Sequence, residues 1–523
     1  MDREDIGMSK AHRTRRWLKK LLFRRAFVAL LLLVQIAFIG LNIAFYSQLR
    51  WFTILWQVVG FFTALHLTTH SQHNATFKIS MVFLILLFPV FGAVFYWFFH
   101  YQTTTIGYRK RLHKREQETA HAFGFVPDMA DTASIENPDA GRMIRYLRDV
   151  SGFPVCGKTE TEYYDDGKAY QAALLEALRS AEKYIFMEYF IIGEGVFWDS
   201  IHGILREKAA AGVDVRLIWD DIGCLLTLPT DFAEGLRKEG IKCHVFNPFR
   251  PFLSSVQNNR DHRKITSVDG RVAFTGGINL ADEYINERER FGHWKDAGIR
   301  LVGDGAWSFT VMFLQMWGFL TKQTEDCAKY LPERREPVPD GTRGWVQPFC
   351  DSPMDELSVG EHTYRHLIAA AKNYVYITTP YLMVDNDLIS TLKLAAESGV
   401  DVRIITPRKP DKKIVHFTTR SYYRELLHSG VRIFEYTDGF IHSKNFVVDD
   451  RFGSVGTVNL DFRSLYMHFE CGVCLYDTPS LASVKADFLA TQQKCTEITE
   501  HTWRSNPLLS FLQDLCRLFA PMM

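Results

Sequence analysis

Ile441-His442-Ser443-Lys444-Asn445-Phe446-Val447-Val448-Asp449, running on through Gly456-Thr457-Val458-Asn459 to Glu470, has a near-copy built on His262, Lys264, Asp269, Gly276, Gly277 and Asn279. In each copy the His and Lys stand two apart in an apolar, β-branched run that predicts a strand, and strand alternation points both side chains to one face. The Asp falls beside Gly270 or Asp450, where a hairpin turn is expected. The returning strand brings Gly-x-x-Asn back beside the His and Lys. Two copies imply one pocket made from two halves, cationic and lined by one imidazole from each.

The surrounding chain repeats in the same order. A helix over 172–183, a strand over 184–192, a helix over 198–211 and a strand over 213–218 are matched by a helix over 366–372, a strand over 374–379, a helix over 386–398 and a strand over 400–405. Gly212-Val213-Asp214-Val215-Arg216 corresponds to Gly399-Val400-Asp401-Val402-Arg403, and short strands over 241–246 and 431–436 follow. Strands alternating with helices of this length predict an α/β body of mixed, mostly parallel sheets flanked by helices, duplicated about a pseudo-two-fold axis. Pro337, Pro339, Asp340 and Gly341 mark the expected seam, giving halves 143–335 and 336–523; residues 111–142, polar and broken by Pro127 and Asn137-Pro138, read as a linker.

Residues 1–110 differ in character. Lys10, Arg13, Arg15, Arg16, Lys19, Lys20, Arg24 and Arg25 precede apolar runs at about 26–45, 51–66 and 81–99, the last carrying Pro89 and Gly92. Three such runs predict a multi-pass membrane region, the shortest being a re-entrant or interfacial segment. Basic clusters on both flanks, the second at Arg109, Lys110, Arg111, Lys114 and Arg115, favour a cytoplasmic body. The chain has 523 residues and a formal net charge of +1, so nothing marks it globally for nucleic acid. Nine cysteines make no secreted-type framework, and the lone Cys471-x-x-Cys474 pair reads as ordinary strand positions.

Two His, two Lys and two Asn make an anion site in which ammonium and amide groups neutralise phosphate oxygens, one imidazole attacks phosphorus and the other donates a proton to the leaving oxygen. No Gly-rich phosphate loop precedes a helix and no carboxylate cluster points to a phosphoryl-transfer metal, so neither cofactor nor metal is expected.

On these motifs the sequence resembles the phospholipase D superfamily, whose H-x-K-x4-D and G-x-x-N signature occurs twice, and within it the bacterial cardiolipin synthases. Further phrases carry the resemblance: Asp282-Glu283-Tyr284, Trp294-Lys295-Asp296, Thr379-Pro380-Tyr381, Asn459-Leu460-Asp461-Phe462-Arg463-Ser464 and His468-Phe469-Glu470. The resemblance implies two tandem phospholipase D-like domains behind transmembrane helices in a bacterial cell membrane. It also implies transfer of a phosphatidyl group between two phosphatidylglycerol molecules, giving cardiolipin and glycerol through a phosphohistidine. Phospholipase D-type hydrolysis is the alternative, and a non-catalytic scaffold a third reading that the intact motifs oppose. By resemblance His262 is the nucleophile and His442 the acid and then the base, Lys264, Lys444, Asn279 and Asn459 hold the phosphate, and Asp296 and Glu470 orient the imidazoles, Glu470 being expected on His442. Asp269 and Asp449 complete the motifs and read as hairpin ties more than as chemical groups. Glu188 reads either as a core acid or as a pocket residue, and the helix 307–320 either as core or as a lipid-facing surface.

Overall fold

The computed structural model describes residues 33, 34, 36, 37, 40, 44–70, 74–100, 103–249, 255–332, 342–354, 357–501, 503 and 506–523. The chain forms two units: Met1–Tyr108 with Phe249–Asn259 and Leu518–Met523, and Arg109–Pro248 with Arg260–Arg517.

In the first unit most of the expected run 26–45, and the seam at 337–341 in the second, lie outside the described residues. The run 51–66 is part of a longer helix, Tyr46–His70, and its portion Arg50–His70, 21 residues, is the one helix among those described that is long and apolar enough to cross a membrane. The run 81–99 is not a single helix. It is divided into Ala75–Leu87 and Pro89–His100, because Pro89 lacks an amide hydrogen and disfavours helical backbone at Phe88. The two pieces pack tightly: a Cβ added at Gly92 would lie 2.6 Å from the Ile85 Cα. At 13 and 12 residues, each is shorter than the roughly 20 needed to span a bilayer.

The second unit holds both repeats. Strands β1 (Thr159–Tyr164), β2 (Tyr184–Tyr189), β3 (Asp214–Asp220), β4 (Lys242–Phe246), β5 (Arg260–Asp261), β6 (Lys264–Val268), β7 (Val272–Gly276), β8 (His293–Lys295) and β9 (Gly298–Gly303) belong to the first half. Those of the second are β10 (Trp345–Asp351), β11 (Tyr374–Thr378), β12 (Leu382–Met383), β13 (Asp401–Pro407), β14 (Arg432–Tyr436), β15 (Gly439–Ile441), β16 (Asn445–Val448), β17 (Phe452–Gly456), β18 (Leu460–Asp461), β19 (His468–Tyr476) and β20 (Cys495–Ile498). One sheet has the order β1-β9-β7-β6-β2-β3-β4 and the other β10-β19-β17-β16-β11-β13-β14-β20, so the duplication read from the sequence is a duplication of topology. The sheets are mixed, but apart from the short pairing of β5 with β19, parallel pairing within them is confined to β2-β3-β4 and β11-β13-β14; it does not prevail, because the strands after the motif lysines return as hairpins.

β2 is apolar along its length apart from Glu188 because it is buried on both faces. Helices Gly167–Ser180 and Val196–Ala210 cover one face, contributing Leu174, Leu178, Trp198 and Ile201 to a core with Ile185, Met187 and Tyr189. Helix Asp304–Thr321 covers the other, where Phe313 stacks on Phe186 at 4.7 Å. That helix is buried nearly all round, so its Trp, Phe and Met side chains are core and not a lipid-facing surface. Cys471 and Cys474 are free and buried within β19.

Residues 111–142, expected to be a linker, are built into the body. They complete the helix Thr103–Thr119 and form Ala130–Glu136, and the next helix begins at Gly141. The supposed breakers separate short helices whose alanines are buried, and Asp128 accepts from the Val155 amide at 3.0 Å while Trp307 Nε1 donates to the Ala122 carbonyl at 2.8 Å.

Each hairpin turns on its motif aspartate, held in the left-handed region at φ 51° for both Asp269 and Asp449. The Asp269 carboxylate accepts from the amides of Glu182, Lys183 and Tyr184 at 2.7–2.8 Å, tying the turn to the start of β2. Asp449 does the same with Lys372, Asn373 and Tyr374 at 2.6–2.9 Å. Both carboxylates therefore lie at the turn end of the His-Lys strand, where they organise backbone. Asp449→Ala is expected to destabilise the purified full-length protein by about 2–3 kcal/mol in chaotrope unfolding, from loss of charge-assisted hydrogen bonds. Anion binding by the folded fraction should persist; unchanged stability with binding abolished would instead make the carboxylate a pocket group.

Candidate active site

The two motif histidines meet because the halves exchange strands. β5 pairs with β19 and β8 with β15, each across the boundary between repeats. The His262 amide donates to the Phe469 carbonyl at 2.9 Å, and the His442 amide to the Lys295 carbonyl at 2.7 Å. Each histidine is thereby fixed one residue away from the acid of the opposite half. His262 Nδ1 lies 2.9 and 3.0 Å from the Glu470 oxygens, and His442 Nδ1 lies 2.7 Å from Asp296 Oδ2. Glu470 thus orients His262 and not His442. The acids are crossed, which a reading of each motif as a self-contained unit could not foresee. Donation of Nδ1–H to the carboxylate leaves each imidazole its Nε2 lone pair; at His442 the Lys444 Nζ also lies 2.8 Å from Nδ1.

The carboxylates are held in turn. Thr457 Oγ1 donates to Glu470, so the residue after Gly456 acts through its hydroxyl. At the matching position of the first half, Gly277, a Cβ would fall 2.0 Å from Asp296 Oδ1, so a side chain there would collide with the acid. Asp296 also accepts from the Ala297 amide at 2.8 Å.

Lys264 and Lys444 are 0% and 1% exposed, and each ammonium donates to the carbonyl of the histidine two residues before it. Burial pushes Lys264 down to about 8 and Lys444 to about 7. Burial, then the charges of Lys264, Lys444 and His442, drives His262 well below its ordinary value, while His442 falls to about 4 from burial and Lys444, opposed by Asp296. Both imidazoles are neutral at neutral pH, between two lysines and two carboxylates, a setting in which a monoanionic phosphodiester meets two nitrogen lone pairs and the ammonium groups while the carboxylates stay engaged on Nδ1.

The asparagines differ. Asn279 accepts from the Ile191 amide at 3.0 Å and donates to the Tyr284 hydroxyl at 2.7 Å, whereas Oδ1 of Asn459 is buried without a partner among the described residues. Glu188 is not on the His-Lys face. Alternation places it with Phe186 under helix Asp304–Thr321, where it pairs with Arg263 at 2.6 Å; it is a core acid. Four aromatic groups to which the sequence reading gives no site role line the pocket: Tyr284 and Trp294 stand 5.6 and 5.3 Å from the His442 ring, and Phe190 and His468 stand 5.0 and 5.5 Å from that of His262. The signal was present, since Trp294 and His468 each precede their acid by two residues and so share its face of the strand.

Two groups bring metal-type ligand atoms within 4.8 Å of one another among the described residues: His262, His468 and Glu470, and Glu361, Asp385 and Asp387. The first is a poor cation site, because Glu470 already holds an imidazole and two lysines lie close by.

The family described as cardiolipin synthase, PLD-like domain, matches residues 174–290 and 364–491, and the one described as phospholipase D-nuclease N-terminal matches 51–99. The chain is 42% identical over 459 residues to a protein of Streptococcus mutans, covering 87% of this chain and 98% of that one. It is 34% identical over 454 residues to a cardiolipin synthase of a Geobacillus species, covering 85% and 89%. The crystal structure of phosphatidylserine synthase from Haemophilus influenzae shares the fold with a TM-score of 0.55, at 16% identity, over 73% of this chain and all of that one.

The depressed lysines set a pH dependence for anion binding. A lysine whose proton affinity is lowered carries charge below its folded pKa and loses it above, so affinity should be full on the acid side of about 7 and fall as pH rises through 7 to 8 and beyond. Calorimetric titration with sulfate, whose charge is constant over this range, should show weakening that approaches roughly tenfold per pH unit for each lysine neutralised. Constant affinity to pH 9 would mean the lysines do not hold the anion.

Proposed function

The chain belongs to the cardiolipin synthases of the phospholipase D superfamily, and on that premise we propose that its pocket transfers a phosphatidyl group from one phosphatidylglycerol to the hydroxyl of another, releasing glycerol. The observation that carries the reading is the pair of imidazoles, each with Nδ1 on a carboxylate of the other half, above two buried lysines. Lys264 and Lys444 neutralise the phosphate oxygens, helped by the amides of Asn279 and Asn459. His262 Nε2 attacks phosphorus, and the bond to the glycerol oxygen breaks as His442 gives that oxygen a proton. The second phosphatidylglycerol then enters; its hydroxyl returns a proton to His442, its oxygen forms the new P–O bond, and the P–N bond to His262 breaks.

The division of labour follows the electrostatics. Asp296 opposes the loss of the His442 proton, so His442 is the better proton carrier, whereas His262 is surrounded by cations that keep it neutral and nucleophilic. An entering monoanion raises the proton affinity of both rings, and His442 takes up a proton from solvent at Nε2 as the lipid binds, the proton it then gives to the departing glycerol oxygen. One phosphodiester is exchanged for another, so the reaction needs no nucleotide.

The reading extends to the rest of the chain: two domains, 143–335 and 336–523, behind a multi-pass membrane region, with the catalytic body in the cytoplasm. The helix Arg50–His70 and the basic clusters flanking the apolar runs support it. A C-terminal reporter active only on the outer side would reverse the orientation.

Purified protein in phosphatidylglycerol vesicles should yield cardiolipin and glycerol; phosphatidic acid alone would make water the acceptor and the protein a hydrolase. Trapping of a phosphatidylated enzyme should vanish in His262→Ala and survive in His442→Ala with departure of glycerol slowed. Glu470→Gln should slow formation of that intermediate by on the order of 10²–10⁴-fold, since it removes the group that orients the nucleophile. Undiminished trapping in Glu470→Gln would break the link between the crossed acid and the attack.

A further inference from the structure

Placing Asn279 in register with Asn459 sets Glu283 against Arg463, and placing Asp296 in register with Glu470 sets Trp294 against His468. The halves diverge at both positions. In the first, buried Glu283 is neutralised by Arg288 at 2.5 Å and Arg290 at 3.1 Å, and Trp294 lays an indole beside His442. In the second, Arg463 sits half-buried on the short helix Phe462–Tyr466, and no carboxylate among the described residues lies within ion-pair distance of its guanidinium. The Asp461 carboxylate accepts instead from the backbone amides of Arg463 and Ser464 at 2.8 and 3.0 Å.

His468 is unsatisfied as well. Among the described residues neither ring nitrogen, both buried, has a hydrogen-bond partner, and Nδ1 is 3.7 Å from Glu470 Oε1, beyond hydrogen-bond reach. The Arg463 charge acts on this ring, and that of Lys412 on His262 and Asp461. A half-buried cation without a counter-ion and an orphaned buried imidazole are both costly in an empty pocket, and an arriving anion relieves both.

We propose that Arg463 and His468 form a second phosphate subsite, on the second-half wall of the pocket, that holds the phosphodiester of the acceptor phosphatidylglycerol. This rests on the transfer reading above. The transferred phosphate lies on the two lysines, and the acceptor's hydroxyl must attack from the His442 side, opposite the P–N bond. The acceptor's own phosphate does not react, and the three glycerol carbons between it and that hydroxyl let it lie back from the His442 side against the wall beside His262, where His468 stands 5.5 Å from the His262 ring and Arg463 supplies the charge. The acceptor oxygen gains the new P–O bond and its proton goes to His442, while its phosphodiester stays intact. Water or a simple alcohol has nothing for the subsite to hold.

The test is partition between acceptors, using full-length enzyme in phosphatidylglycerol vesicles with ethanol added. Arg463→Gln should lower the ratio of cardiolipin to phosphatidylethanol by about tenfold or more, through a raised KM for acceptor lipid, with ethanol transfer kept, and His468→Asn should lower the same ratio whatever it does to the total rate. In the parent enzyme, inorganic phosphate should compete against cardiolipin formation more than against ethanol transfer, and Arg463→Gln should remove that difference. An unchanged ratio in both variants, parallel loss of both products in both, or equal inhibition of both products by phosphate in the parent would overturn the subsite. Parent enzyme that makes phosphatidylethanol and phosphatidic acid but no cardiolipin would sink the transfer reading itself.

Discussion

Two backbone hydrogen bonds hold this site together: His262 amide to Phe469 carbonyl, and His442 amide to Lys295 carbonyl. Each lies on a short parallel pairing between strands of different repeats, and each sets a histidine beside the other half's carboxylate. A surface salt bridge could swing, but a ladder bond cannot shift by one residue without turning every side chain on the strand to the opposite face. The crossing therefore fixes the separation of the imidazoles, their tautomers and the direction of both Nε2 lone pairs at once. The lysines inherit the same frame, since each follows its histidine by two residues and bonds back to its carbonyl.

Much of this was legible because it depends on local period. Asp at the turn and a helix-strand order that recurs word for word are readable over a few residues, and the two sheets repeat their strand order accordingly, although each histidine falls in the break between two strands, β5 and β6 or β15 and β16, and not within one. What escaped depends on partners distant in sequence. Glu470 follows the His442 motif in sequence, which points to His442 as its partner, yet it belongs to His262 across 208 residues. Glu188 was ambiguous until β6 fixed which face Arg263 occupies. The polarity of 111–142 with Pro127 and Asn137-Pro138 points to a linker, yet these residues only divide one short helix from the next. Pro89 had the reverse effect, breaking a run whose hydropathy alone reads as one helix.

The halves share topology but not chemistry. Duplication supplies two copies of every pocket element, and the differences record what each copy now does. Gly277 makes room for Asp296, where Thr457 hydrogen-bonds the longer Glu470. Trp294 shields His442, where His468 leaves polar nitrogens beside His262. A two-step exchange passes through two different moments, and an asymmetric pocket can serve each of them.

The strand exchange also governs how the molecule can be made. β5 and β8 are synthesised well before their partners: Lys295 leaves the ribosome 144 residues ahead of Gly439, counting from 295 to 439. At ordinary rates of elongation that is roughly seven to thirty seconds. During this interval the first half exposes two short open edges that only the second half can close, and open edges recruit whatever strand is at hand. Their brevity, two residues in β5 and three in β8, limits what a stranger could pair with. The nascent chain thus stays inert while it waits, and the pocket comes into being only when the last strands dock.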